Sequence, residues 1–156
     1  MSALFDVLER FFQEDDWSYT ADPETGTLHM GFAGENGRWP LVAGVREVQE
    51  QVVIYSIAPV DAPPERRLAV AEFITRANEG MIVGNFEMRW DLGEVRYKTS
   101  IDVEGSQLDT ALVKNLVYAN CLMMDRYLPG LMQLLNGDTT PEQAIELVEN
   151  PSEAIN

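Results

Sequence analysis

Apolar residues along this chain recur at two different periods, and the switches between the periods mark out its elements. Leu4, Phe5, Val7, Leu8, Phe11 and Phe12 fall at spacings of three and four, with Asp6, Glu9, Arg10 and Gln13 on the opposite side. That is one buried stripe on a helix, predicted over roughly Ser2 to Gln13. The acidic, turn-rich run Asp15 to Gly26 ends it. Leu28, Met30 and Phe32 then alternate, followed by Trp39, Leu41, Ala43 and Val45, which is strand periodicity. Asn36-Gly37 between them suits a two-residue type I′ hairpin. Such a turn pairs Phe32 with Leu41, Met30 with Ala43 and Leu28 with Val45, all on one face. A third strand, Gln51 to Ala58, is apolar at both parities (Val52, Ile54; Val53, Tyr55, Ile57), as expected of a central or doubly covered strand. Its link to the preceding strand, Val48 to Gln51, carries no turn residue.

Pro63-Pro64 stops that strand and starts a second helix, since proline is tolerated at the first helical position. The helix runs to about Asn78 and ends at Gly80. Phe86, Met88 and Trp90 alternate next, then Val95, Tyr97, Thr99, Ile101 and Val103 around a turn at Leu92-Gly93. This register sets Trp90 by Val95, Met88 by Tyr97 and Glu87 by Lys98, with Phe86, Met88, Trp90, Tyr97 and Ile101 facing helices. A third helix is expected from Ser106, with Ser106 and Asp109 as an approximate capping box, to a kink or break at Pro129-Gly130. A short apolar turn, Leu131 to Leu135, follows. Thr140, Pro141 and Gln143 then supply a cap, a first-position proline and a closing capping box for a last helix reaching Glu149.

The expected order is therefore α-β-β-β-α-β-β-α plus a short C-terminal helix. Adjacent strands joined by hairpins make the sheet antiparallel. The whole of 1–156 reads as a single two-layer α+β domain with a five-stranded antiparallel sheet and helices mainly on one face.

Charge narrows the partners. Eleven basic residues face 26 acidic ones, a formal net charge of −15. A surface of that sign repels phosphate backbones and anionic membranes, so neither nucleic acid nor membrane is expected as a partner. Between Asp61 and Glu104 six bases mingle with nine acids, so no basic patch emerges there. The single cysteine, Cys121, cannot form an intramolecular disulfide, and the N-terminus has no basic leader; both point to a cytoplasmic protein.

Candidate chemistry is sparse. His29 is the only histidine and lacks the partners that a catalytic base or metal site needs. Cys121 sits among apolar residues without an electropositive neighbourhood, as a buried small hydrophobe does. Asp15, Asp16, Asp22 and Glu24 lack the alternating acids and central glycine of a calcium loop, and the span Asp138 to Glu149 has Gln143 where that glycine belongs. Gly31, Gly34 and Gly37 are followed by a strand rather than the helix N-terminus of a phosphate loop. Tyr118, Met123, Met124, Tyr127 and Met132 form a Met-rich helix stripe that reads first as core and second as a flexible groove for a partner segment. No cofactor or metal is called for.

Several short strings carry a resemblance: Pro64-Glu65-Arg66-Arg67, Arg76-Ala77-Asn78, Gly84-Asn85-Phe86-Glu87 and Gly93-Glu94-Val95-Arg96-Tyr97-Lys98, with Tyr127-Leu128-Pro129 and Pro141-Glu142-Gln143-Ala144-Ile145 further on. Through them the chain resembles the YbjN family of bacterial sensory transduction regulators over about three quarters of its length. The resemblance implies a fold like that of type III secretion chaperones, which are homodimers that bind client segments without catalysis. It carries over no catalytic residues.

The function expected is a non-catalytic protein-binding domain, chaperone-like or regulatory, with a protein or peptide client. The alternatives are an enzyme using carboxylates such as Asp15, Asp16 or Glu87, and a scaffolding subunit. A homodimer is also expected. His29, Gly31, Val42, Val53, Tyr55 and Ile57 lie at the second parity of their strands, and an apolar sheet face without helices over it seeks a partner.

Overall fold

The computed structural model of the protein describes residues 3–137 and 139–150. Helix α1 (Ala3–Glu14) buries Phe5, Leu8, Phe11 and Phe12, the stripe that its spacing predicts. Ser2, part of the expected helix, lies outside the described residues. The Glu47 carboxylate accepts from the main-chain N–H groups of Leu4 and Phe5 at 3.2 and 2.9 Å, filling donors that the first turn of a helix leaves open.

Six strands follow rather than five: β1 (Thr20–Asp22), β2 (Thr27–Ala33), β3 (Arg38–Arg46), β4 (Gln51–Ile57), β5 (Asn85–Arg89) and β6 (Glu94–Asp102). They form one antiparallel sheet in the order β1-β2-β3-β4-β6-β5. The extra strand is β1, three residues inside the turn-rich segment, too short to show a period of its own. β4 is central, as its two-sided apolar pattern predicts. The β3–β4 link turns at Glu50, which adopts a left-handed φ of 56° without glycine.

Both expected hairpin registers slip by two residues. Phe32 pairs with Trp39, Met30 with Leu41 and Leu28 with Ala43, around the four-residue loop Gly34 to Gly37. Asn36 is not in the left-handed region, so the type I′ turn does not form. In the second hairpin Met88 pairs with Val95, Phe86 with Tyr97 and Glu87 with Arg96, around Trp90 to Gly93. An even slip keeps every side chain on its expected face. It does remove Trp90 from the strand: that indole stands 52% exposed, whereas Phe86 and Tyr97 are buried and Met88 and Ile101 pack against the core.

All the helices pack on one face. A 3-10 turn (Pro64–Arg66) leads into α2 (Arg67–Asn78). Helix α3 (Thr110–Leu135) starts four residues after Ser106, with Asp109 as its N-cap accepting from Leu112 N–H at 2.9 Å. It runs through Pro129-Gly130 without breaking, so Leu131 to Leu135 belong to it. Proline at 129 leaves the Asp125 carbonyl without its helical donor, and the Asn36 side-chain amide supplies one at 2.9 Å. Gly130 lies where α4 (Pro141–Glu149) crosses; a Cβ there would sit 2.6 Å from the Ala144 carbonyl oxygen. Helix α4 has the full capping box of Thr140 and Gln143. Helix α3 bridges two buried clusters, one with α1 and β2–β4, the other with α2, α4, β5 and β6. Among the described residues no helix is long and apolar enough to cross a membrane.

Candidate functional site

Among the described residues, helices cover one face of the sheet and no helix or strand covers the other. Strand pairing fixes which residues point to the bare side: His29 lies across from Val42, Val42 from Tyr55 and Tyr55 from Lys98, while Val53 is flanked by Gly44 and Ser100. Val42, Val53, Tyr55 and Ile57 are all half-buried and form an apolar strip along the middle strands. The residues expected to make a second apolar face therefore do share one, with Gly31 at its margin.

Charge surrounds this strip. Arg96 lies with its guanidinium 4.3 Å from the Tyr55 ring centroid, a cation–π geometry. Its Nε donates to Glu87 at 2.5 Å, and Lys98 reaches the other Glu87 oxygen at 3.4 Å. Arg46 and Arg38 occupy the β3 side. A shallow depression of about 330 Å³, lined by Arg46, Gln51, Val53, Tyr55, Lys98 and Asp102, opens in this face.

The other candidates scatter. His29 is exposed on the bare face, with Thr27 Oγ1 at 3.3 Å from its Nε2. Cys121 is buried on the helix side, where desolvation pushes its thiol up to about 12. Asp15 accepts from the Tyr118 hydroxyl at 2.8 Å and from the Trp17 indole at 2.9 Å, tying α1 to α3. Asp16 is exposed in the turn after α1. Asp22 closes its own turn, and the hydrogen bonds from Thr25 hold its carboxyl below the usual range. Glu24 is exposed in the same turn. Asp138 lies outside the described residues. Gly34 and Gly37 belong to the β2–β3 hairpin. Of the Met-rich stripe, Met124 and Tyr127 are core, Met123 and Met132 are half-buried and Tyr118 is exposed. No group of three or more His, Cys, Asp or Glu among the described residues is placed to hold a metal ion.

Nothing in the sequence singles out Asn120, which is buried completely between α3 and the sheet. Its Nδ2 lies 2.9 Å from the Ile54 carbonyl oxygen, 3.1 Å from that of Tyr97 and 3.1 Å from Thr99 Oγ1. Trp39 Nε1 donates to Ser56 Oγ at 2.9 Å nearby. Asn120 thus pins α3 to β4 and β6, and the Trp39–Ser56 bond ties β3 to β4.

The strings that carried the resemblance brace β5 and the helix ends. Arg66 donates twice to the Leu134 carbonyl, at 3.0 and 2.8 Å, capping α3. Asn78 accepts from Phe86 N–H at 2.7 Å and donates to its carbonyl at 2.9 Å, closing the free edge of the sheet at that residue. Gly93, with φ 74°, packs against Ala62, where a side chain has no room.

The family model for YbjN, "Putative bacterial sensory transduction regulator", matches residues 4–133. The chain belongs to the YbjN family. Two solved structures share its architecture, and a third is less similar. The crystal structure of YbjN from E. coli is 12% identical, with a TM-score of 0.58 over 78% of this chain and 85% of that one. A chain of the ExsC–ExsE complex is 11% identical, with a TM-score of 0.54 over 83% and 96% respectively. A chain of the HopA1–SchA chaperone–effector complex is 19% identical, with a TM-score of 0.49 over 80% and 92%. At these identities the likeness is one of fold. No curated protein matches the chain.

Proposed function

We propose that this protein is a non-catalytic binding domain, chaperone-like or regulatory, that holds a partner protein on the bare face of its sheet. One observation carries the reading: Val42, Val53, Tyr55 and Ile57 form an apolar strip with no element of the described residues over it. An antiparallel sheet of a free-standing domain normally alternates apolar inward and polar outward, and a surplus apolar strip on the wet side marks a contact surface. Membership of the YbjN family and the fold shared with a chain of the ExsC–ExsE protein complex support it. The enzyme alternative finds less support: Asp15 and Glu87 are committed to Tyr118, Trp17, Arg96 and Lys98, and catalysis needs such groups to converge on a substrate.

The test is co-purification from the native host with the wild type and with Tyr55→Asp, which puts a charge in the middle of the strip. The wild type retains a discrete partner and the variant loses it. An identical set of proteins on both would refute the reading.

A second copy of the chain is the other occupant this strip favours, giving the homodimer expected from the sequence. Light scattering decides it: a mass near 17.5 kDa at low and high salt excludes the dimer.

A further inference from the structure

The inference here rests on the protein-binding reading and names the partner's chemistry. We infer that the bare face takes an acidic segment of another protein, with apolar side chains interspersed, in preference to a second copy of this chain. The basis is the uneven distribution of charge. Strand pairing puts Arg38, Arg46, Arg89, Arg96 and Lys98 on this face, five of the chain's 11 bases, against Asp22, Glu87, Glu94 and Asp102, four of its 26 acids. A chain of net charge −15 thus presents one face on which cations outnumber anions.

Two of the four acids of that face are held in ion pairs. Glu87 is held by Arg96 and Lys98, and Glu94 stands 3.9 Å from both Arg89 and Arg96. Asp102 accepts from the Gln51 amide at 2.9 Å and from Glu104 N–H at 2.9 Å. Among the cations, Arg46 reaches the Gln51 amide oxygen at 3.5 Å, and neither it nor Arg38 makes an ion pair with a described residue. Asp22 and Asp102 accept from uncharged donors and so offset Arg38 and Arg46, and the excess is the third cation of the cluster in which Arg89, Arg96 and Lys98 share the two carboxylates of Glu87 and Glu94. That cluster runs along one side of the apolar strip, with Lys98 across from Tyr55 and Arg96 over its ring, and Arg46 lies across from Gln51 on the other side.

Screening makes this local excess count. At physiological ionic strength charges separated by more than ~8 Å are largely hidden from one another. The acids of the helix side therefore do not cancel the field over the strip. A second copy would bring the same sign of face and a further net −15, whereas an acidic segment complements the cations and its apolar side chains fill the strip. Salt separates the occupants by sign: an acidic segment binds more weakly as salt rises, and self-pairing of two acidic chains binds more tightly.

The experiment is selection from a phage-displayed random peptide library against the intact protein and against Arg46→Glu/Lys98→Glu, with circular dichroism confirming the fold of the variant. Peptides selected by the wild type are rich in Asp and Glu beside apolar residues. The double variant binds them about tenfold or more weakly and selects against acids, and high salt weakens the wild-type complexes. Selection without an acidic bias, or a bias that survives the double substitution, overturns the inference. So does displacement of the peptides by a single-stranded oligonucleotide, or a dimer that Tyr55→Asp dissociates. Peptides that bind the wild type but are lost on Leu122→Asp, an exposed position of α3, leave the protein-binding reading standing and refute this face as the site. A library that yields no binder refutes the inference, while the co-purification result still decides the broader reading.

Discussion

The side-chain amide of Asn36, in the β2–β3 hairpin, donates to the one α3 carbonyl that Pro129 deprives of its helical partner, that of Asp125. The Asp125 carboxylate returns the contact, accepting from the N–H groups of Glu35 and Asn36 at 3.1 and 2.8 Å. A residue that would break the helix is thus offset by a loop distant in sequence, and the loop is positioned by the same helix. Asn36→Ala is expected to cost about 1 kcal/mol in urea unfolding. In a Pro129→Ala background, where the N–H is restored, the same change costs less. The coupling between the two is expected at roughly 0.5–1 kcal/mol. Additive effects would show the two positions to be independent.

Asn120 should be among the most sensitive polar positions. Asn120→Ala removes donors from buried carbonyls and leaves a cavity between α3 and the sheet, for an expected loss of roughly 2–4 kcal/mol. Asn120→Asp should cost more, because it turns an acceptor or a buried charge toward the carbonyl oxygens of Ile54 and Tyr97. Denaturant midpoints of the two variants check this, and equal losses would contradict the assigned donor role.

How much of this was legible in the sequence depends on where the determining contact lies. Face assignment was legible, because alternation survives an even slip: Phe86, Tyr97 and Ile101 lie toward the helices and Val53, Tyr55 and Ile57 away from them although both registers moved. The loop that sets the register was not, since Asn36 is held by Asp125 far along the chain rather than by its own turn preference. Pro129 reads as a helix break for the same reason: its compensation is non-local. β1 is too short for periodicity, and Trp90 looked buried only because the shorter loop kept it in the strand. The apolar centre of the candidate face was visible as a second parity. Its cationic border was not, because Arg38, Arg46, Arg96 and Lys98 are gathered by strand order, which pairs β4 with β6 rather than β5.

Alkaline pH should unfold the protein through its buried phenols. Burial pushes Tyr97 up to about 12, and burial together with a 2.6 Å hydrogen bond to Glu149 does the same for Tyr127. In the unfolded chain tyrosines ionise near 10. Between these values the unfolded state holds fewer protons than the folded one, so stability is fully present below about 10 and falls as pH rises toward 12. Near-ultraviolet titration of phenolate should therefore show these two groups ionising late and together with loss of structure. Tyr97→Phe/Tyr127→Phe should flatten the fall. Reversible ionisation of every tyrosine near 10 in folded protein would contradict the burial argument.

On the proposed reading a partner protein sits on the bare face of the sheet. Site-specific photo-crosslinking in the native host tests it most directly, with a photoreactive amino acid at Val53, in the apolar strip, and at Lys114, exposed on α3. A discrete cross-linked product is expected from position 53, lost when Tyr55→Asp is added, and none from position 114. A product from position 114 with none from position 53 would contradict it.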